Sequence, residues 1–257
     1  DLVAGTAGRD ILVAFHPGAT LRGRDGSDVL VSFFAGTDFR GGAGDDAAVF
    51  YTDADLRFDA GAAAVEVAVG SAGDDTLDGG AGAGDAVLYQ LDGGSSGVTV
   101  DLGSGTATDS HGDADSLSGI ENVAGSAFGD SLTGDSNNNA FAGGEGDDTI
   151  DGGDGIDEVD YDFLEQGAVS IDLASETATD SFGNTDTLLN IENVFGSAFN
   201  DTIIGDDGEN RLFGGEGDDD LKGAGGDDYF DPSFGDGETD SVDGGAGDDT
   251  VEFFADD

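Results

Sequence analysis

The chain has 257 residues, of which 58 are acidic and 7 basic, for a formal charge of −51, and 48 are glycine. Self-repulsion and the backbone entropy of glycine both oppose collapse, so a cation has to take part in any compact state. With no patch of Lys or Arg, nucleic acid and anionic membrane surfaces are excluded as partners, and with no cysteine so are disulfides and thiolate metal sites.

From Gly5 the sequence keeps a nine-residue phase: GTAGRDILV (5–13), AFHPGATLR (14–22), GRDGSDVLV (23–31), SFFAGTDFR (32–40) and GGAGDDAAV (41–49). The fullest form of the pattern is Gly, Gly, any, Gly, any, Asp, any, apolar, any. Glycines at the first, second and fourth positions permit a tight loop with inward carbonyls, the aspartate closes it, and the apolar eighth position marks a short strand with one face buried. The sixth-position carboxylates here are Asp10, Asp28 and Asp46, spaced by 18, and Phe15, Phe33 and Tyr51 share that spacing. If two nonapeptides make one coil, as the family resemblance given below implies, the three carboxylates lie on one edge and an aromatic stack on the other.

Residues 50–69 lose the phase and read as alternating strand and loop. The phase returns at GSAGDDTLD (70–78) with Asp75, and an extra residue in GGAGAGDAVL leaves Asp85 as the carboxylate, a bulge or longer loop. Residues 98–160 then align without gaps to 169–231 at an offset of 71, as in VTVDLGSGTATDS against VSIDLASETATDS and IENVAGSAFGDSL against IENVFGSAFNDTI. Four coils of 18 residues would make 72, which suits one continuous solenoid over 1–257 better than separate globules.

Each copy ends in four nonapeptides. In the first, GGEGDDTID and GGDGIDEVD (143–160) bring Gly143, Gly144, Gly146, Asp148 and Asp157; in the second, Gly214, Gly215, Gly217, Asp219 and Asp228 follow. The run opens on Asp130 and Asp201, with Phe128 and Phe199 in place of the fourth glycine, read as caps on the apolar interior. Asn139 and Asn210 replace the next aspartate, keeping a carbonyl without the charge. The chain closes, after a turn at Pro232, with GDGETDSVD and GGAGDDTVE, which carry Asp240 and Asp249. Converging carbonyls and carboxylates suit a hard, oxygen-seeking cation, Ca²⁺ above all.

These nonapeptides resemble the repeats-in-toxin (RTX), haemolysin-type calcium-binding repeats. The resemblance implies an all-β, right-handed parallel β-roll (β-solenoid), roughly 70 Å long at ~4.8 Å per coil, with roughly six to ten Ca²⁺ ions. It implies ions between the loops of consecutive coils, pairing Asp10 with Asp28, Asp28 with Asp46, Asp130 with Asp148, Asp201 with Asp219, Asn139 with Asp157, and Asn210 with Asp228. It also implies an extracellular protein that leaves a bacterium by a one-step (type I) exporter and folds in external calcium. The expected role is structural, in a surface layer, filament or adhesin, with self-assembly or a surface ligand as partner. The alternative is the carboxy-terminal repeat region of a secreted protease or lipase, and a third reading is an acidic module for carbohydrate, mineral or ice, hinted at by Thr106, Thr108, Thr177 and Thr179.

Enzyme signatures are weak. His16 and His111 do not begin an HExxH zinc helix, GGSSG (93–97) lacks the strand-to-helix context of a nucleophile elbow, and carboxylate pairs are too numerous to single one out. No catalytic site is therefore expected. The chain lacks an apolar run of about 18 residues and a signal-peptide-like start, and beginning at Asp1 it reads as part of a longer protein.

Overall fold

A computed structural model describes residues 2–16, 19–25, 28–32, 38–43, 47–50, 57–61, 67–69, 73–80, 84–90, 93–162, 165–232 and 239–252. Two compact units divide the chain, Asp1–Leu132 and Thr133–Asp257. The described residues are all-β apart from one 3₁₀ turn, Leu173–Ser175.

Most strands are three residues long, because each nonapeptide gives only its seventh to ninth positions to extended backbone. Successive strands join opposite sheets, so Thr149–Asp151 lies in one and Glu158–Asp160 in the other. Within a sheet, neighbours one coil apart pair in parallel and in register, as Asn193, Val194 and Phe195 do with Arg211, Leu212 and Phe213. In the first unit the same holds for Ile11–Val13 against Val29–Ser32. This is the parallel β-roll, and its core is one apolar side chain per strand. Ile150, Val159, Ile203, Leu212, Leu221 and Phe230 are all 0% exposed. Each such burial is worth roughly 1.5–3 kcal/mol, a thin core for so acidic a chain.

The 71-residue repeat is not four coils. Its first half departs from the coil path, while staying in the same sheet as the coil strands, as an antiparallel three-stranded meander: Thr99–Asp101, Thr106–Thr108 and Ala114–Ser118 in the first unit, and Ser170–Asp172, Thr177–Thr179 and Thr185–Leu189 in the second. The reason is local. These stretches lack the glycine loop, and a four-residue turn reverses the chain instead, with the Gly105 amide on the Leu102 carbonyl at 3.2 Å and the Glu176 amide on the Leu173 carbonyl at 3.0 Å. Gly105 and Glu176 are both left-handed (φ 68° and 58°). The last meander strand rejoins the roll in parallel, Ser116 opposite Thr76 and Thr187 opposite Thr149.

Phe128 and Phe199 do not cap the interior; they are 42% and 43% exposed. The fourth position is the loop apex, and the Phe199 amide is tied to the Ser197 hydroxyl at 3.2 Å, which turns the ring outward. Phe15 is 72% exposed, while Phe33 and Tyr51, the other members of the expected aromatic stack, lie outside the described residues.

Candidate metal centre

An ionised side chain is stable in a dry interior only when other groups compensate its charge. Yet Asp28, Asp75, Asp85, Asp130, Asp148, Asp157, Asp201, Asp219 and Asp228, together with Asn139 and Asn210, are all at most 4% exposed. Part of the compensation is a ladder of amides. The backbone N–H at one sixth position donates to the side chain one coil later: Asp10 to Asp28 at 2.7 Å, Asn139 to Asp157 at 2.7 Å, Asp201 to Asp219 at 2.8 Å and Asn210 to Asp228 at 2.9 Å. Asp240 and Asp249, both half-buried, close the two columns by accepting from Asp219 at 3.0 Å and Asp228 at 3.1 Å. Asp46 lies outside the described residues, and Asp130 and Asp148 belong to different units.

A second ladder runs the other way through the fifth positions. Their side chains accept from the next coil, as Asn200 does from the Asp218 amide at 3.1 Å and Asp227 from Asp248 at 2.9 Å. Coil stacking therefore aligns carboxylates at one coil's spacing, and the chain's like charges are gathered into columns.

The loops fall into two classes, set by the second position. Where it is Thr, Ser or Asp, its amide is held by the loop's own sixth side chain: Thr6 by Asp10 at 2.5 Å, Ser126 by Asp130 at 2.6 Å, Ser197 by Asp201 at 2.5 Å, Asp135 by Asn139 at 2.8 Å and Asp206 by Asn210 at 2.8 Å. Where it is Gly144, Gly153 or Gly215, the backbone is left-handed (φ 97°, 97° and 99°), as it is at the fourth-position Gly146 and Gly217 (133° and 125°). In the loop that ends at Asp157, and in the similar Ala224 loop that ends at Asp228, the Oδ2 atom is buried with no hydrogen-bond partner.

The space beside the first glycine of these loops is already taken by oxygen. A Cβ on Gly214 would lie 2.8 Å from the Pro232 carbonyl and against the Asp219 carboxylate, and one on Gly143 would strike Asp148. Such oxygen-rich cradles, with the buried Oδ2 atoms of Asp157 and Asp228 in the equivalent loops, fit a hard cation with six to eight oxygen ligands. Among the described residues no three acidic or histidine side chains converge on one point, so loop carbonyls must complete any coordination shell, which again favours Ca²⁺.

Electrostatics point the same way. Burial, reinforced by Glu192, Asp135 and Asp151, pushes Asp157 up to about 6 despite the Asn139 amide. Burial also raises Asp130, Asp201 and Asp228. Asp10 moves oppositely, lowered by the amide and hydroxyl of Thr6.

Four acceptors of the ladder lie outside the nonapeptides, and the sequence pattern missed them. In the meanders Asp115 accepts the Asp75 amide at 3.0 Å and Asp186 accepts the Asp148 amide at 3.1 Å. Glu121 accepts from Asp85 at 3.1 Å and Glu192 from Asp157 at 2.8 Å. Their one sequence signal is that both kinds recur at an offset of 71.

Four copies of the RTX calcium-binding nonapeptide repeat match this chain, over residues 61–83, 121–159, 195–230 and 234–252. None of the curated proteins compared with it matches. The matched repeats coincide with most of the glycine loops, the amide ladders and the orphaned carboxylate oxygens, and the chain is an RTX-type calcium-binding repeat protein.

Proposed function

We propose that this chain is a calcium-folded extracellular scaffold, a non-catalytic structural module of a bacterial surface layer, filament or adhesin. RTX repeat proteins bind calcium and are typically secreted. The observation that carries the reading is the pair of fully buried, unpartnered Oδ2 atoms of Asp157 and Asp228, set in columns of like charge. A coil offers half of each oxygen cradle until the next has stacked, so metal affinity appears as folding free energy. Low calcium leaves the chain open and a millimolar external concentration closes it, the range of weak extracellular modules.

Calcium would be held by residues of consecutive loops in a column: Asp157 and Asp228 through Oδ2, Asp148 and Asp219 through the carboxylates that face Gly143 and Gly214, and loop carbonyls for the rest. When bound, calcium supplies positive charge and a rigid bridge. The chain's own residues set the spacing through the amide ladders. Far-ultraviolet circular dichroism tests this directly: β-structure is expected in millimolar calcium and its loss in EDTA. Equal strand content in both would overturn the calcium reading, and a strict monomer by sedimentation at millimolar calcium would overturn the surface-layer and filament role.

A further inference from the structure

Each meander ends on a short motif that the nonapeptide pattern does not contain, Gly119-Ile120-Glu121-Asn122 in the first unit and Asn190-Ile191-Glu192-Asn193 in the second. The two copies fold alike. Gly119 and Asn190 are left-handed (φ 57° and 52°), and Ile120 and Ile191, each 5% exposed, anchor the turn in the core. The amides of Glu121 and Asn122 then bind the Asp85 carbonyl at 3.0 and 2.9 Å, and those of Glu192 and Asn193 bind the Asp157 carbonyl at 3.1 and 2.9 Å. The motif is thereby clamped opposite a glycine loop.

The clamp brings oxygens together. The left-handed turn aims the Asn190 carbonyl at Gly152, so closely that a Cβ there would collide with it and would also lie 2.7 Å from Asp157 Oδ2. The Gly119 carbonyl fills the same place beside Gly79, against the Asp85 side chain. Asp157 Oδ2 is buried and accepts no hydrogen bond, in a residue that is 0% exposed. Glu192 adds a second carboxylate to this loop, bound through Oε2 to the Asp157 amide at 2.8 Å; Glu121 does the same for Gly84 and Asp85 at 3.2 and 3.1 Å.

We infer that the two meander turns are calcium sites in their own right, one using Asp157, the Asn190 carbonyl and Glu192, the other using Asp85, the Gly119 carbonyl and Glu121. The donors are oxygens only, two carboxylates and a carbonyl in each case, which selects a hard divalent cation, and the open, irregular cradle suits Ca²⁺ better than octahedral Mg²⁺. These turns carry a calcium column over the point where the meander interrupts the repeat. Glu121 and Glu192 take the part of the missing sixth-position aspartate. The inference rests on the calcium-folding reading above.

Ions per chain at saturation, counted on the full chain by equilibrium dialysis, provide the test. Glu192→Gln and Glu121→Gln each keep a side-chain oxygen for the loop amide while removing the charge, so each variant is expected to fold and to bind one ion fewer, and the double variant two fewer. An unchanged count in the folded variants overturns the inference and leaves the general reading intact. A wild-type chain that binds no calcium overturns that reading itself. Should a variant not fold, infrared spectra of the calcium-loaded wild-type chain, labelled with ¹³C at the glutamate carboxyls, decide. Coordinated glutamate bands support the sites, and bands of free carboxylate alone refute them.

Discussion

Asp186 is 1% exposed and holds two buried donors, the Asp148 amide at 3.1 Å and the Tyr161 hydroxyl at 2.9 Å. Replacing it with alanine orphans both. An unsatisfied buried donor costs about 1–3 kcal/mol, so Asp186→Ala is expected to destabilise by roughly 2–5 kcal/mol, partly offset because Asp186 is itself poorly solvated and pushed up to about 6 by burial. Tyr161→Phe alone loses one bond and leaves Asp186 its amide, at a cost of about 0.5–1.5 kcal/mol. The informative variant is the double. Once Tyr161 has no hydroxyl to orphan, adding Tyr161→Phe to Asp186→Ala should recover about 1–2 kcal/mol rather than lose more. Guanidinium unfolding in saturating calcium, followed by circular dichroism, measures all three. Asp186→Ala within about 0.5 kcal/mol of wild type, below the cost of one orphaned donor, would refute the argument. So would a double variant costing the sum of the singles. Asp115 and Tyr89 form the same pair in the first unit, at 2.9 Å, and Asp115→Ala with Tyr89→Phe repeats the experiment independently.

Ala224 occupies the second loop position that is glycine at Gly215 and Gly245, and like them it is left-handed, at φ 69°; Ala224→Gly should raise stability by about 1 kcal/mol, and a lower melting temperature would contradict this. Gly215→Ala should do the reverse, because its backbone is left-handed at φ 99° and a Cβ would collide with the Ser197 carbonyl; calcium-induced folding should shift to higher calcium. Leu212 is 0% exposed, and Leu212→Ala should cost roughly 2–5 kcal/mol in chemical unfolding. The pH dependence without metal follows from Asp157 and Asp186, both raised from 3.8 to about 6. Between those values the folded chain binds more protons than the unfolded chain, so stability in EDTA rises as pH falls through about 6, and the loss of net negative charge adds in the same direction. Circular dichroism in EDTA should show more β-structure at pH 5 than at pH 7.5, and the opposite order would refute the assignment.

The nine-residue glycine and aspartate pattern determined the roll by itself, along with its one-residue core and most of its carboxylate columns, because loop, closure and strand are all encoded within nine consecutive residues. Glycine against serine or aspartate at the second position also separates open loops from self-closed ones, although that rule becomes visible only when the Asp130 and Asp157 loops are compared in space. What the tertiary structure alone decided lies outside the nine-residue unit. The stretch VTVDLGSGTATDS alternates as well for a coil as for a meander, and only the folding of Thr106–Thr108 back onto Thr99–Asp101, with Ala114–Ser118 added beyond, selects the antiparallel form. For the same reason Glu192 could not be placed in the site from sequence. It lies 35 residues from the Asp157 amide that it holds, and no local periodicity links the two. Their meeting depends on a left-handed turn at Asn190 and on the burial of Ile191, which become defined only once the sheets have packed.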